Sequence, residues 1–104
     1  MAFVRFFFEL EVCKLSRILA REIFEISKRF PPDERYSLTD QIRRSSRSIG
    51  AQTAEALAKR RYINHFISKL TDSDAEQYET RHWIDVAVDC KLVSQDEWIS
   101  VTSK

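Results

Sequence analysis

Glycine and proline are scarce in this chain: 104 residues hold one Gly and two Pro. So few turn-forming residues argue against a fold with many tight reversals and favour long helices joined by short connections. Cysteine is equally sparse. Cys13 and Cys90 lie far apart and outside any CxxC pattern, so both read as reduced thiols packed as small apolar groups in a cytoplasmic protein. Long apolar runs are missing too, and none approaches the roughly 18 residues of a membrane span. The opening Ala2–Phe8 run is apolar but is cut off by Glu9 and Glu11, too short and wrongly flanked for a signal peptide. Its exposure would be sticky, so Phe7 or Phe8 is expected to pack on something.

What the chain does have is charge. The 32% of charged residues leave a net charge of only +1. Residues 1–61 hold 13 Lys/Arg against 8 Asp/Glu, however, while residues 62–104 hold 4 against 8. Attraction to a polyanion therefore needs a local patch rather than the whole chain. The length suits one helical domain with a modest core.

Read in order, Val12, Leu15, Leu19, Ile23, Ile26 and Phe30 recur at spacings of three and four, which predicts a helix over about 9–30, with Ile18 and Phe24 widening its apolar stripe. Pro31 and Pro32 end it. A second helix is predicted over about 38–60, with Ser37 as N-cap and Asp40 in its first turn. Its core face is Leu38, Ile42, Ser45, Ile49, Thr53, Ala56 and Leu57. A reversal at Lys59–Tyr62 keeps the domain compact. A third helix then covers about 63–90, apolar at its ends (Ile63, Phe66, Ile67, Leu70; Trp83 to Val88) and polar from Thr71 to Arg81. Ser94-Gln95-Asp96-Glu97 is a capping box, flanked by Val93 and Trp98 at the hydrophobic-staple positions. It opens a fourth helix over about 95–103, shorter than the others by half or more.

The segment Arg35–Arg61 concentrates the features that bear on function. Gly50, Ala51, Ala54 and Ala58 form a small-residue stripe that would admit another helix and is a candidate oligomer interface; the plain alternative is helix propensity on a wet surface. Arg43, Arg44, Arg47, Lys59, Arg60 and Arg61 are candidate phosphate contacts for RNA or DNA. Some of that charge is also expected in a buried polar network of Arg43, Arg44, Gln52 and Glu55 with Glu79 on the third helix, because polar groups inside a bundle need partners. Enzyme chemistry finds little footing. A di-metal carboxylate site needs Glu-x-x-His on each of two helices, and Glu79-x-x-His82 stands without a second. Ser45, Ser46 and Ser48 have no nearby His, and no Gly-rich phosphate loop exists. No cofactor, metal or small-molecule substrate is indicated.

The pieces Phe7-x-x-Leu10-Glu11-Val12, Phe30-Pro31-x-x-Glu34-Arg35-Tyr36-x-Leu38, Gln41-Ile42-Arg43-Arg44, Ser48-Ile49, Ala54-Glu55, Phe66, Glu79 and Trp83 resemble the bacterial four-helix-bundle proteins, which include those encoded in intervening sequences of 23S rRNA genes. More distantly, the chain resembles the nucleic-acid-binding accessory proteins of diversity-generating retroelements. The resemblance implies an all-α, antiparallel up-and-down four-helix bundle that assembles as a homopentamer. It implies no catalytic residues. Three departures stand out: Cys13 where an aromatic is common, Leu57 after Ala56, and the shortened fourth helix. The last suggests either a truncated reading frame after Lys104 or an oligomer partner that covers the groove.

Overall fold

The computed structural model describes residues 11–103, and all their regular structure is helical. Helix α1 is Glu11–Ser27, α2 Leu38–Ala58, α3 Ile63–Asp89 and α4 Gln95–Thr102, with a single 3-10 turn at Pro32–Glu34. The expected packing of Phe7 or Phe8 lies outside the described residues. Neighbouring helices run antiparallel in an up-and-down four-helix bundle with a shortened α4, about 44 × 22 × 20 Å.

Helix α1 ends three residues earlier than its apolar spacing predicted. Pro31 pushes Phe30 off helical angles, and the preceding turn tightens into i→i+3 bonds: Lys28 N–H to Glu25, Arg29 to Ile26 and Phe30 to Ser27. Phe30 is nevertheless buried, reaching the core from the turn. At the start of α2, Ser37 occupies the N-cap position, but its side chain makes no cap hydrogen bond. Glu34 does that work instead. Its carboxylate accepts from the Leu38 N–H at 3.1 Å and from Ser37 Oγ at 2.7 Å.

The reversal between α2 and α3 falls at Lys59–Tyr62, where the Tyr62 N–H returns to the Lys59 carbonyl at 2.9 Å. The next reversal shows what a chain short of glycine does. Leu92 N–H reaches back to the Ala87 carbonyl (2.8 Å) and Lys91 N–H to Val88 (2.9 Å), the paired bonds of a Schellman helix stop. That stop needs a left-handed residue, and Lys91 supplies it at φ 61°, a conformation costly for a side-chain-bearing residue. Two residues on, the capping box closes: Glu97 N–H donates to Ser94 Oγ at 3.2 Å, and Ser94 N–H to Glu97 Oε1 at 2.9 Å.

The core gathers at the end of the bundle where all four helices meet. Ile23 and Ile26 of α1, Phe30, Leu38 and Ile42 of α2, Ile84 and Ala87 of α3, Val93 and Val101 form one cluster, with Trp83 and Trp98 packed against it. Cys13 is buried as expected, whereas Cys90 is exposed, because it is the C-cap of α3 rather than part of its inward face.

Candidate functional site

Where α2 crosses α3 the interface is polar, in two layers. The inner layer consists of hydroxyls. Ser45 and Thr80 are both buried and lie 2.8 Å apart. Two turns further, Thr53 Oγ1 and Ser73 Oγ are 2.8 Å apart, and each sits 2.9 Å from the Ile49 carbonyl. Small hydroxyls let the two backbones approach closely while satisfying each other, and no buried side-chain N or O atom among the described residues lacks a partner. The outer layer is ionic and lies towards solvent. Arg44 bridges Glu76 at 3.2 Å and Glu79, and Glu79 also accepts from Trp83 Nε1 at 3.1 Å. Lys69 pairs with Glu55 at 2.8 Å and donates to Gln52 Oε1 at 3.3 Å, holding the Glu55 carboxyl below the usual carboxylate range.

Of the five residues expected in a buried network, Arg44, Gln52, Glu55 and Glu79 therefore do link α2 to α3, but on the outside. Arg43 turns the other way. Its Nε donates to Ser27 Oγ at 2.7 Å and its guanidinium stands 4.8 Å from the centre of the Phe24 ring, both on α1. The residues that fill the buried layer, Ser73 and Thr80 above all, were not singled out from sequence. Their spacing of seven on α3, against eight between Ser45 and Thr53 on α2, places them on facing helical stripes and is the signal that could have found them.

The small-residue stripe divides. Gly50 lies under α1, and a Cβ there would meet Ser16 Oγ at 2.9 Å; the close approach it permits is within the chain. Ala54 is half-buried beside it, and Ala51 and Ala58 are exposed. The six candidate phosphate contacts divide as well. Arg44 is held by carboxylates, Arg60 Nη1 donates to the Leu57 carbonyl at 2.8 Å, and Arg47 sits 5.6 Å from the centre of the Phe24 ring. Lys59 and Arg61 are exposed at the opposite end of α2 from Arg43. His82 is exposed and packs edge-on against Trp83, and among the described residues no group of three His, Cys, Asp or Glu is placed to hold a metal.

The side of the bundle beyond α4 is open. A hollow of about 190 Å³, lined by Leu19, Tyr78, Ile84 and Val101 among others, lies where α4 runs out. Further along α3, Ile63, Ile67 and Leu70, part of the apolar end expected there, are 63%, 53% and 39% exposed. Val12 and Ile18 of α1 are uncovered in the same way, at 53% and 39%. The physical reason is length. Eight residues of helix span about 12 Å, against the 27 residues of α3, so nothing among the described residues covers the far half.

No described helix is long and apolar enough to cross a membrane. No curated protein and no solved structure gives a significant match to the chain. A family model, that of the 23S rRNA-intervening sequence protein, matches residues 8–104. That span takes in all four helices, the three connections between them and the α2–α3 interface, and the chain belongs to the 23S rRNA-intervening sequence protein family.

Proposed function

We propose that this protein is a non-enzymatic, cytoplasmic helical module whose activity is self-association into a homo-oligomer, a pentamer as the family resemblance implies. The observation that carries this reading is the uncovered apolar stripe of α3. Ile63, Ile67 and Leu70 stand at i, i+4 and i+7 and are 39–63% exposed, the spacing with which one helix seats on another. The hollow below Val101 lies further along α3 and is lined by Asp74, Gln77, Thr80 and Arg81 as well as Ile84, so a helix laid on the stripe would meet polar groups as it approached α4. A second copy is the natural occupant, because a single-chain monomer pays to keep such a patch in water. The alternative, an RNA- or DNA-binding edge made of Arg43, Arg44, Arg47, Lys59, Arg60 and Arg61, is weakened by the commitment of Arg44 to Glu76 and Glu79.

Light scattering at several protein concentrations tests the assembly. A mass of several chains, falling towards one chain in an Ile67→Lys/Leu70→Lys variant that keeps its helicity, supports it. A strictly monomeric wild-type mass throughout would sink it.

A further inference from the structure

The outward face of α1 carries a basic ridge, apart from the cations of the second helix that the sequence singled out. Lys14, Arg17, Arg21 and Lys28 follow one another at spacings of three, four and seven, so they share a narrow arc of the helix surface, and all four are exposed. Arg17 belongs to two surface depressions at once. One runs along α1 with Lys14 and Arg21; the other is the groove between α1 and α2, floored by Ser16, Gly50 and Ala54 and bordered on its far side by Arg47. Beyond it, Lys28, Arg43 and Arg47 surround the ring of Phe24 at 4.7, 4.8 and 5.6 Å from its centre. Six cations thus occupy one face, three of them steadied by a single aromatic ring.

Carboxylates on this face are few. Glu25 pairs with Lys28 at 3.3 Å, Asp40 precedes Arg43 by one turn, and Glu22 is turned to α4, where it accepts from Ser100 Oγ at 2.9 Å. Among the described residues no ion pair engages Lys14, Arg17, Arg21, Arg43 or Arg47. The acidic groups lie elsewhere: Asp72, Asp74, Glu76, Glu79, Asp85 and Asp89 are all on α3. A net charge of +1 therefore hides a molecule with one cationic side.

We infer that this α1–α2 face binds the phosphate backbone of a nucleic-acid duplex without reading its bases. The ridge from Lys14 to Lys28 is about 21 Å long at 1.5 Å per residue, so its cations, with Arg43 and Arg47 beside them, can meet several phosphates of a duplex that carries one charge per roughly 1.7 Å of its axis. Guanidinium groups match phosphate oxygens in pairs, which a mere excess of lysine would not. The face offers no stacking platform, because the cations themselves cover Phe24. That disfavours single strands, whose binders stack bases on open aromatic rings. It also leaves no group to discriminate sequence.

The test uses the full chain and fluorescently labelled 20-base-pair duplexes of RNA and of DNA, each in two unrelated sequences, at 50 and 200 mM salt. The expected result is binding indifferent to sequence whose affinity falls by roughly 500-fold between the two salts, as for about five phosphates neutralised. Arg17→Glu/Arg21→Glu, two exposed positions that leave the core untouched, should abolish it, while Lys59→Glu/Arg61→Glu at the other end of α2 should leave it unchanged. RNA and DNA arms separate the two sources of the same chemistry. No binding at 50 mM salt overturns the inference, as does loss of binding in the Lys59/Arg61 variant only. Equal competition by polyglutamate also overturns it, because the face would then be a site for acidic proteins.

Discussion

A methyl group on Gly50 would come within 2.9 Å of Ser16 Oγ, and that hydroxyl is held by its 2.8 Å bond to the Cys13 carbonyl. Alanine normally stabilises a helix interior by about 1 kcal/mol over glycine, so the two effects oppose each other. Gly50→Ala should lower stability by about 1 kcal/mol in the wild-type chain and raise it by a similar amount in a Ser16→Ala background. Urea titration of the four proteins checks this cycle, and equal effects in both backgrounds would remove Ser16 from the account. Lys91 presents the converse case. It takes the left-handed position that glycine adopts without penalty, so Lys91→Gly should add about 1 kcal/mol. A melting temperature raised by about 4–8 °C would register it. The chain's single Gly is thus spent on a close helix approach, and the one turn that most needs a glycine goes without.

At the scale of elements, the ionic layer between α2 and α3 ties helices that share few large apolar groups along their middle. Glu79→Ala would strip an acceptor from both Arg44 and Trp83. The expected loss is about 1 kcal/mol, a few degrees in the melt. The attachment of α4 depends on pH. The Arg29 guanidinium, aided by the Ser94 N–H of the capping box, holds the Glu97 carboxyl at about 2. A depressed carboxylate contributes stability that is whole above its ordinary value near 4.5 and is lost as pH falls towards 2. Urea unfolding followed by Trp98 emission should therefore show wild type weakening steeply over that window, and Glu97→Gln should show a flatter acid limb. How much of this was legible follows from which interactions are local. The capping box, the proline stop and the helical stripes all lie within a few residues of sequence, and periodicity finds them. Sequence also marked Ile63, Ile67 and Leu70 as an apolar end of the third helix, but an apolar pattern does not report whether anything arrives to cover it. Arg43 and Arg44 are adjacent in sequence yet reach Ser27 on one side and Glu79 on the other; only the position of α2 between its neighbours separates them. Glu34 displaced Ser37 as the cap because a 3-10 turn, invisible in the pattern, folded its carboxylate back onto Leu38.

Over the whole molecule, the uneven distribution of mass is the governing fact. One end holds four helices, two tryptophans and the apolar cluster; the other is the α2–α3 hairpin with α1 alongside and an open flank. The same asymmetry separates the two proposed surfaces, with the apolar stripe on α3 and the cationic ridge on α1. An oligomer built through the first would leave the second facing outward. The short connections have a kinetic consequence. The α2–α3 reversal occupies only Lys59–Tyr62, so the hairpin forms from contacts close along the chain, and low contact order predicts folding in microseconds to milliseconds. Helix α4, eight residues held to the bundle by the buried Val101, by the Arg29–Glu97 pair and by Trp98, whose Nε1 donates to Asp85 at 2.7 Å, would then dock last. Stopped-flow measurements should find that Thr80→Val slows folding while Ser94→Ala leaves the folding rate alone and hastens unfolding. The wait before α4 arrives is also the interval in which Ile84 and its neighbours are open to water, so a nascent chain would meet its own kind most readily before its last helix has settled.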